Sequence, residues 1–198
     1  MPDPFLVTVA LEIEAQGLFE AAGIPVLYTG LGKVNAAISV ASKLAELRVQ
    51  GSALPIVLNF GTAGSPVLPT HSIVACRQFV QRDMDVTGLG FAPGVTPFEA
   101  EPPQLEFEAL FPNLPHGVCG SGDRFETGRP AVACDVIDME GYALAKACRR
   151  AGTAFGCVKY VTDGADHTAA DDWARNLPRA AAAFIEQYRQ LTVRQARP

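Results

Sequence analysis

The 198 residues carry 48% hydrophobic and 19% charged side chains, enough for one sizeable core and cramped for two full domains. A formal net charge of −5 argues against a nucleic-acid or anionic-membrane surface, and no apolar run reaches the ~18 residues of a membrane span. Five cysteines, an odd number with no C-x-x-C pair and mostly in apolar segments, predict buried free thiols in a reducing cytoplasm.

The amino-terminal "MPDPFLVTVALEIEA" lacks a basic region and carries acids inside its apolar stretch, so no signal peptide is expected. "FLVTVAL" (5–11) predicts a strand, followed by helix-compatible "EIEAQGLFEAAG" and a short strand at 25–30. Apolar residues at helical spacing from Val34 to Leu47 predict a helix that Gly51 stops. Strands follow at 55–61 and 72–80. The proline-, glycine- and acid-rich stretch 90–117 predicts a loop with at most a short helix. "GVCGSGDRF" and "AVACDVID" predict two further strands. A helix at 139–151, a strand at 154–162 and a final helix from about Ala169 to Val193 complete the chain. No repeat or boundary interrupts it, which predicts a single domain over 1–198. Alternating strands and helices imply a mostly parallel sheet covered on both faces, with its ligand crevice beyond the carboxyl ends of the strands.

The polar residues cluster at those ends: Glu12 and Glu14 after the first strand, "NFGTAGS" (59–65), "CGSGDRFE", "DMEG" and "YVTDGADH". Glu14, Glu140 and Asp163 stand out among the acids. Each has a plain structural reading too. Asp138 suits a helix N-cap, and Glu140 suits the first turn of the helix beside it. Asp163 suits a cap or an Asx turn, while Glu12 and Glu14 alternate with Leu11 and Ile13 as on a solvated strand face. The three histidines are far apart and lack ligand spacing, so no metal site is expected. "GLGKVN" (30–35) fits neither a P-loop nor G-x-G-x-x-G, and no G-x-S-x-G elbow exists, which leaves carboxylate chemistry.

"GLGKVNAA" (30–37), "NFGTAGS", "RDMDVTGLGF" (82–91), "SGDRF" (121–125), "DMEGYALA" (138–145) and "VTDGAD" (161–166) resemble, in order, the motifs of the purine nucleoside phosphorylase/uridine phosphorylase superfamily. The resemblance is closest to its methylthioadenosine/S-adenosylhomocysteine nucleosidase branch. It implies an α/β three-layer sandwich around a mixed sheet that closes partly into a barrel, no cofactor, a small nucleoside substrate and a homodimer. Catalytic roles fall on Glu14, which would activate water, and Asp163, which would protonate the purine at N7. Glu140 would hold the ribose 2′- and 3′-hydroxyls, with Met139 beneath the sugar and Thr62 and Gly64 forming its floor. Phe125 would pack on the base, while the backbone of Phe125 and Glu126 reads its edge.

Where phosphorylases place a phosphate-binding arginine, this chain has Asn59, and the nucleosidase-type glutamate is present at Glu14, so hydrolysis is favoured over phosphorolysis. Lys159 stands where an arginine usually braces the site, and Glu126 where an apolar residue is usual. The segment before "TGLGKV" has room for one strand rather than a hairpin, and the 90–117 loop is trimmed. Those shortened regions motivate one further alternative, a nucleoside-binding protein without catalysis. The apolar 87–98 stretch is a candidate interface segment.

Overall fold

The computed structural model describes residues 4–195; positions 1–3 of the amino-terminal stretch and 196–198 of the 1–198 domain lie outside the described residues. Eight strands form one sheet: β1 (Phe5–Val9), β2 (Val26–Tyr28), β3 (Ile56–Gly64), β4 (Ile73–Gln81), β5 (Gln104–Glu106), β6 (His116–Ser121), β7 (Val136–Asp138) and β8 (Phe155–Asp163). Among the described residues five α-helices accompany them, α1 (Glu12–Ala15), α2 (Leu18–Ala21), α3 (Lys33–Val49), α4 (Gly141–Ala151) and α5 (Ala169–Gln195), with a single 3-10 turn at Thr87–Leu89.

The strand order is β2-β1-β3-β7-β6-β4-β5, and β8 pairs with both β3 and β4. That double pairing bends β3, β7, β6, β4 and β8 into a ring. The sheet is mixed, with five of its eight strand pairings parallel as alternation implied: β8 runs parallel to β3 and antiparallel to β4, and β7 meets β3 antiparallel at Gly64 and Ile137. The remaining strands extend the ring as flaps, so the barrel is partial.

Alternation along the strands divides the core into two layers. Phe155, Cys157 and Val161 of β8 face a cluster with Ala36, Val40 and Leu44 of α3 and Leu144, Ala145 and Cys148 of α4. Val158 and Tyr160 face the other cluster, which contains Phe19 of α2 and Phe184, Ile185 and Tyr188 of α5. The helices therefore cover both faces, as alternation implied. All five cysteines are free thiols, four of them buried.

Several boundaries differ from the sequence pattern for local reasons. The first strand ends at Val9 instead of Leu11, because Glu14 reaches back to accept the Leu11 N–H (3.2 Å) and closes a one-turn helix. Period-two alternation of Leu11, Glu12, Ile13 and Glu14 thus misleads: Glu14 is buried while Glu12 is exposed. The strand expected over 131–138 shrinks to three residues, since the Asp135 carboxylate takes the Val118 N–H (2.7 Å) and side chain replaces backbone in the ladder. Within 90–117 the regular element is a strand, β5, pairing antiparallel with β4, and not a short helix.

Candidate active site

A cavity of about 250 Å³ opens beyond the carboxyl ends of β1, β3, β7 and β8 and against the loop that follows β6. All eight residues singled out from the sequence line it: Glu14, Thr62, Gly64, Phe125, Glu126, Met139, Glu140 and Asp163. So do Arg82, Arg124, Leu31 and Trp173, which sequence reading left without a role.

Glu14 is buried on α1. Its Oε1 accepts both the backbone N–H (3.0 Å) and the hydroxyl (2.6 Å) of Thr62 at the end of β3. The one-turn helix is what swings this carboxylate over the strand end.

The β7–α4 junction places two acids with different surroundings. Asp138 Oδ2 accepts the Gly141 N–H (2.7 Å) and the Lys159 ammonium (2.8 Å), and Oδ1 accepts the Ser121 hydroxyl. Asp138 thus does satisfy the start of α4 as a cap would, although Glu140 holds the N-cap position itself. Burial works against charge on both Asp138 and Lys159, yet their mutual attraction holds Asp138 below the usual carboxylate range and Lys159 well above its own. Gly61 makes room for this pair, since a Cβ there would lie 2.8 Å from Lys159 Nζ.

Glu140 lies two residues further on. Its Oε1 accepts the Gly32 N–H (2.8 Å) at the start of α3. Gly32 has φ +89°, a conformation that suits glycine and turns its N–H toward the acid. Among the described residues Oε2 takes no hydrogen bond. Burial, followed by the charge of Asp138, pushes Glu140 up to about 8.

Asp163, at the end of β8, accepts the Thr162 hydroxyl (2.8 Å) on Oδ2 and the Ala165 N–H (3.0 Å) on Oδ1. The latter is the Asx turn that "TDGAD" suggested. It does not cap α5, whose start is held by Asp166 through the Thr168 N–H (2.9 Å). Burial raises the Asp163 carboxyl above its ordinary value, and among the described residues no cation pairs with it to restore the charge. Gly64 faces it closely: a Cβ at this position would sit 2.7 Å from Asp163 Oδ1.

The loop wall carries Phe125 and Glu126. Phe125 is 55% exposed at the cavity rim, with ring surface left uncovered by the protein. Glu126 pairs with buried Arg82 (2.9 Å) and with Arg124 (3.0 Å), so its charge is compensated. Arg82 also donates to the carbonyls of Gly122 and Arg124, which fixes the loop. Asn59 lies elsewhere: it is buried between β1 and β8, donating to the Thr8 carbonyl (3.3 Å). Arg82 could have been suspected from "RDMD", and Trp173 from being the single tryptophan. No local spacing announced either.

A concave site lined by four buried carboxylates, among them Asp138 held charged and Glu140 and Asp163 shifted toward the neutral form, is the kind that performs acid–base chemistry on a small molecule. The chain belongs to the phosphorylase superfamily, whose family model matches residues 15–191. A 5′-methylthioadenosine/S-adenosylhomocysteine nucleosidase from Marinomonas sp. is 30% identical over 168 residues, covering 74% of this chain and 71% of the relative. Among solved structures, the nucleosidase of that name from Neisseria meningitidis, in complex with methylthio-immucillin-A, is 25% identical with a TM-score of 0.78, covering 95% and 97% of the two chains. The futalosine hydrolase of Helicobacter pylori, at 21% identity, shares the fold with a TM-score of 0.82 over 96% of this chain and 97% of its own.

Proposed function

We propose that this protein hydrolyses the N-glycosidic bond of a purine nucleoside of the methylthioadenosine/S-adenosylhomocysteine type, releasing the free base and a ribose derivative. The observation that carries the reading is that Glu14, Glu140 and Asp163 line one cavity, with Asp163 raised by burial and unpaired with any cation.

Breaking a ribosyl C–N bond builds positive charge on the sugar and negative charge on the base. A carboxylic acid that keeps its proton can deliver it to N7 and relieve the base of that charge, which is the role of Asp163. Glu14 takes a proton from water attacking the oxocarbenium-like carbon from the other side, the inverting arrangement. Glu140 offers its uncommitted oxygen, and on losing its proton accepts from both vicinal hydroxyls of the ribose. Met139, Thr62 and Gly64 contact the sugar, Phe125 stacks on the base, and the backbone of Phe125 and Glu126 reads its edge.

Water as the nucleophile, rather than phosphate, is supported by how the cavity arginines are committed. Arg82 spends its terminal nitrogens on Glu126 and on two carbonyls, and Arg124 leans on the same glutamate. Both guanidinium groups thus already hold a carboxylate partner, which weakens their pull on phosphate.

The protein acts as a cytoplasmic homodimer in this reading. Four buried free thiols fit a reducing compartment, and no helix among the described residues is long and apolar enough to cross a membrane. The groove between α3 and α4 is lined by Val34, Ala37 and Ala41, and the 87–98 segment leaves Leu89 and Phe98 exposed. A second copy would cover these side chains; a monomer by light scattering would remove the homodimer.

The test of the chemistry is product analysis on methylthioadenosine, S-adenosylhomocysteine, adenosine and inosine, with and without phosphate. Free base and free sugar without phosphate are expected. Sugar 1-phosphate formed only with phosphate would overturn hydrolysis.

A further inference from the structure

Trp173 is the single tryptophan of the chain, half-buried one turn into α5, and its ring forms part of the cavity wall. A wall could be any apolar side chain. What distinguishes this one is its indole N–H, which donates to Thr62 Oγ1 at 2.9 Å. The position of the ring is set independently of that bond, because Asn176, three residues later, ties α5 to β8 through the Thr162 carbonyl (2.8 Å).

An indole N–H can only donate, so the direction of the first bond is fixed. Thr62 has one hydroxyl proton. With its oxygen accepting from Trp173, that proton goes to Glu14 Oε1 (2.6 Å), where the Thr62 backbone N–H already arrives (3.0 Å). Bonds in such a chain polarise one another, so the indole strengthens the hydroxyl's donation. Glu14 Oε1 is then committed to two donors, whereas Oε2 meets only the longer bond from the Leu11 N–H (3.2 Å). The two oxygens of one carboxylate are made unequal.

We infer that Trp173 is a positioning residue for the reaction, acting through Thr62 to turn Glu14 so that Oε2 receives the proton of the attacking water; this rests on Glu14 being the general base. The relay joins α5, β3 and α1, three elements brought together only by the tertiary fold.

Trp173→Phe keeps an aromatic wall and removes the N–H. It should lower kcat about 10-fold, the equivalent of one hydrogen bond, with KM moved by less than about twofold. Thr62→Val should lower kcat at least as much, and adding Trp173→Phe to it should cost nothing more, since the path to Glu14 is already cut. Thr62→Ser should restore most of the rate. Multiplying losses in the double variant, or a change in KM alone, would overturn the relay and leave Trp173 a wall. A readout independent of turnover is the single indole N–H resonance, which should move upfield in Thr62→Val; an unmoved resonance also overturns the inference. Glu14→Gln separates the two layers of the argument. Full kcat in that variant would remove Glu14 as base, whereas a large loss together with additive Trp173 and Thr62 effects would remove only the relay.

Discussion

Asp138 and Asp163 stand at the ends of two strands that meet the same residue of β3, since Gly64 is in register with both Ile137 and Asp163. Each accepts a hydroxyl from Ser or Thr and a backbone N–H two or three residues ahead. They differ by one cation. Lys159 lies against Asp138 and holds it charged; among the described residues no cation pairs with Asp163, and burial raises it. Two acids with nearly the same local chemistry thereby differ in charge: one is held ionised as a structural brace, and the other is shifted toward the neutral form that the proposed proton donor needs. A buried acid's role in this site follows from its partner, not from its position at a strand end.

The strongest way to break that contrast is to remove the cation. Lys159→Met leaves Asp138 buried and uncompensated, and should cost about 3–5 kcal/mol in urea unfolding; adding Asp138→Asn should recover much of it. Asp163→Asn touches the other side of the comparison. It should lower kcat by about 10²–10⁴-fold with little change in stability, because no ion pair is broken. In the wild type, burial raises Asp163, so its donated proton is available at low pH and lost as pH climbs through that raised value. The kcat profile should fall on its alkaline side, and a flat profile would contradict the acid role.

Gly64→Ala should have a smaller effect, about 10²-fold in kcat, because the added methyl forces the Asp163 carboxyl aside by roughly an ångström. Glu140 gives the mildest signature. Its pKa is raised to about 8, so the stability linked to its neutral form is complete below the unfolded value and fades as pH rises through about 8. Glu140→Gln should flatten that dependence, by no more than about 1.4 kcal/mol per pH unit. The same titration predicts that a diol-bearing ligand binds the wild type more tightly as pH rises through this range, because the carboxylate then accepts both hydroxyls.

Much of this site could be read in the sequence because its parts are local. "DMEG", "TDGAD" and "NFGTAGS" each mark a strand end, and the ends of β7, β8 and β3 come together where Gly64 meets Ile137 and Asp163. The mixed, partly closed sheet followed only from the family resemblance; alternation alone suggested mostly parallel strands, since it does not reveal that β8 pairs with β4 across the ring. Non-local partnerships were likewise invisible. Lys159 and Asp138 are 21 positions apart, and Trp173 is 111 from Thr62; register and helix docking bring them together. Glu14 shows the remaining limit. Four residues fit a two-residue period as well as a helical turn, and a single side-chain bond to Leu11 decided between them.

Ring closure has a consequence for life in a crowded solution. An open sheet leaves unpaired N–H and C=O groups along its outermost strands, which can template pairing with other chains. Here the sheet ends in β2 and β5, each three residues long, while the nine-residue strands β3, β4 and β8 are flanked on both sides by other strands. The fold therefore offers little backbone for strand addition, and any association between copies must proceed through side chains on its helices and loops.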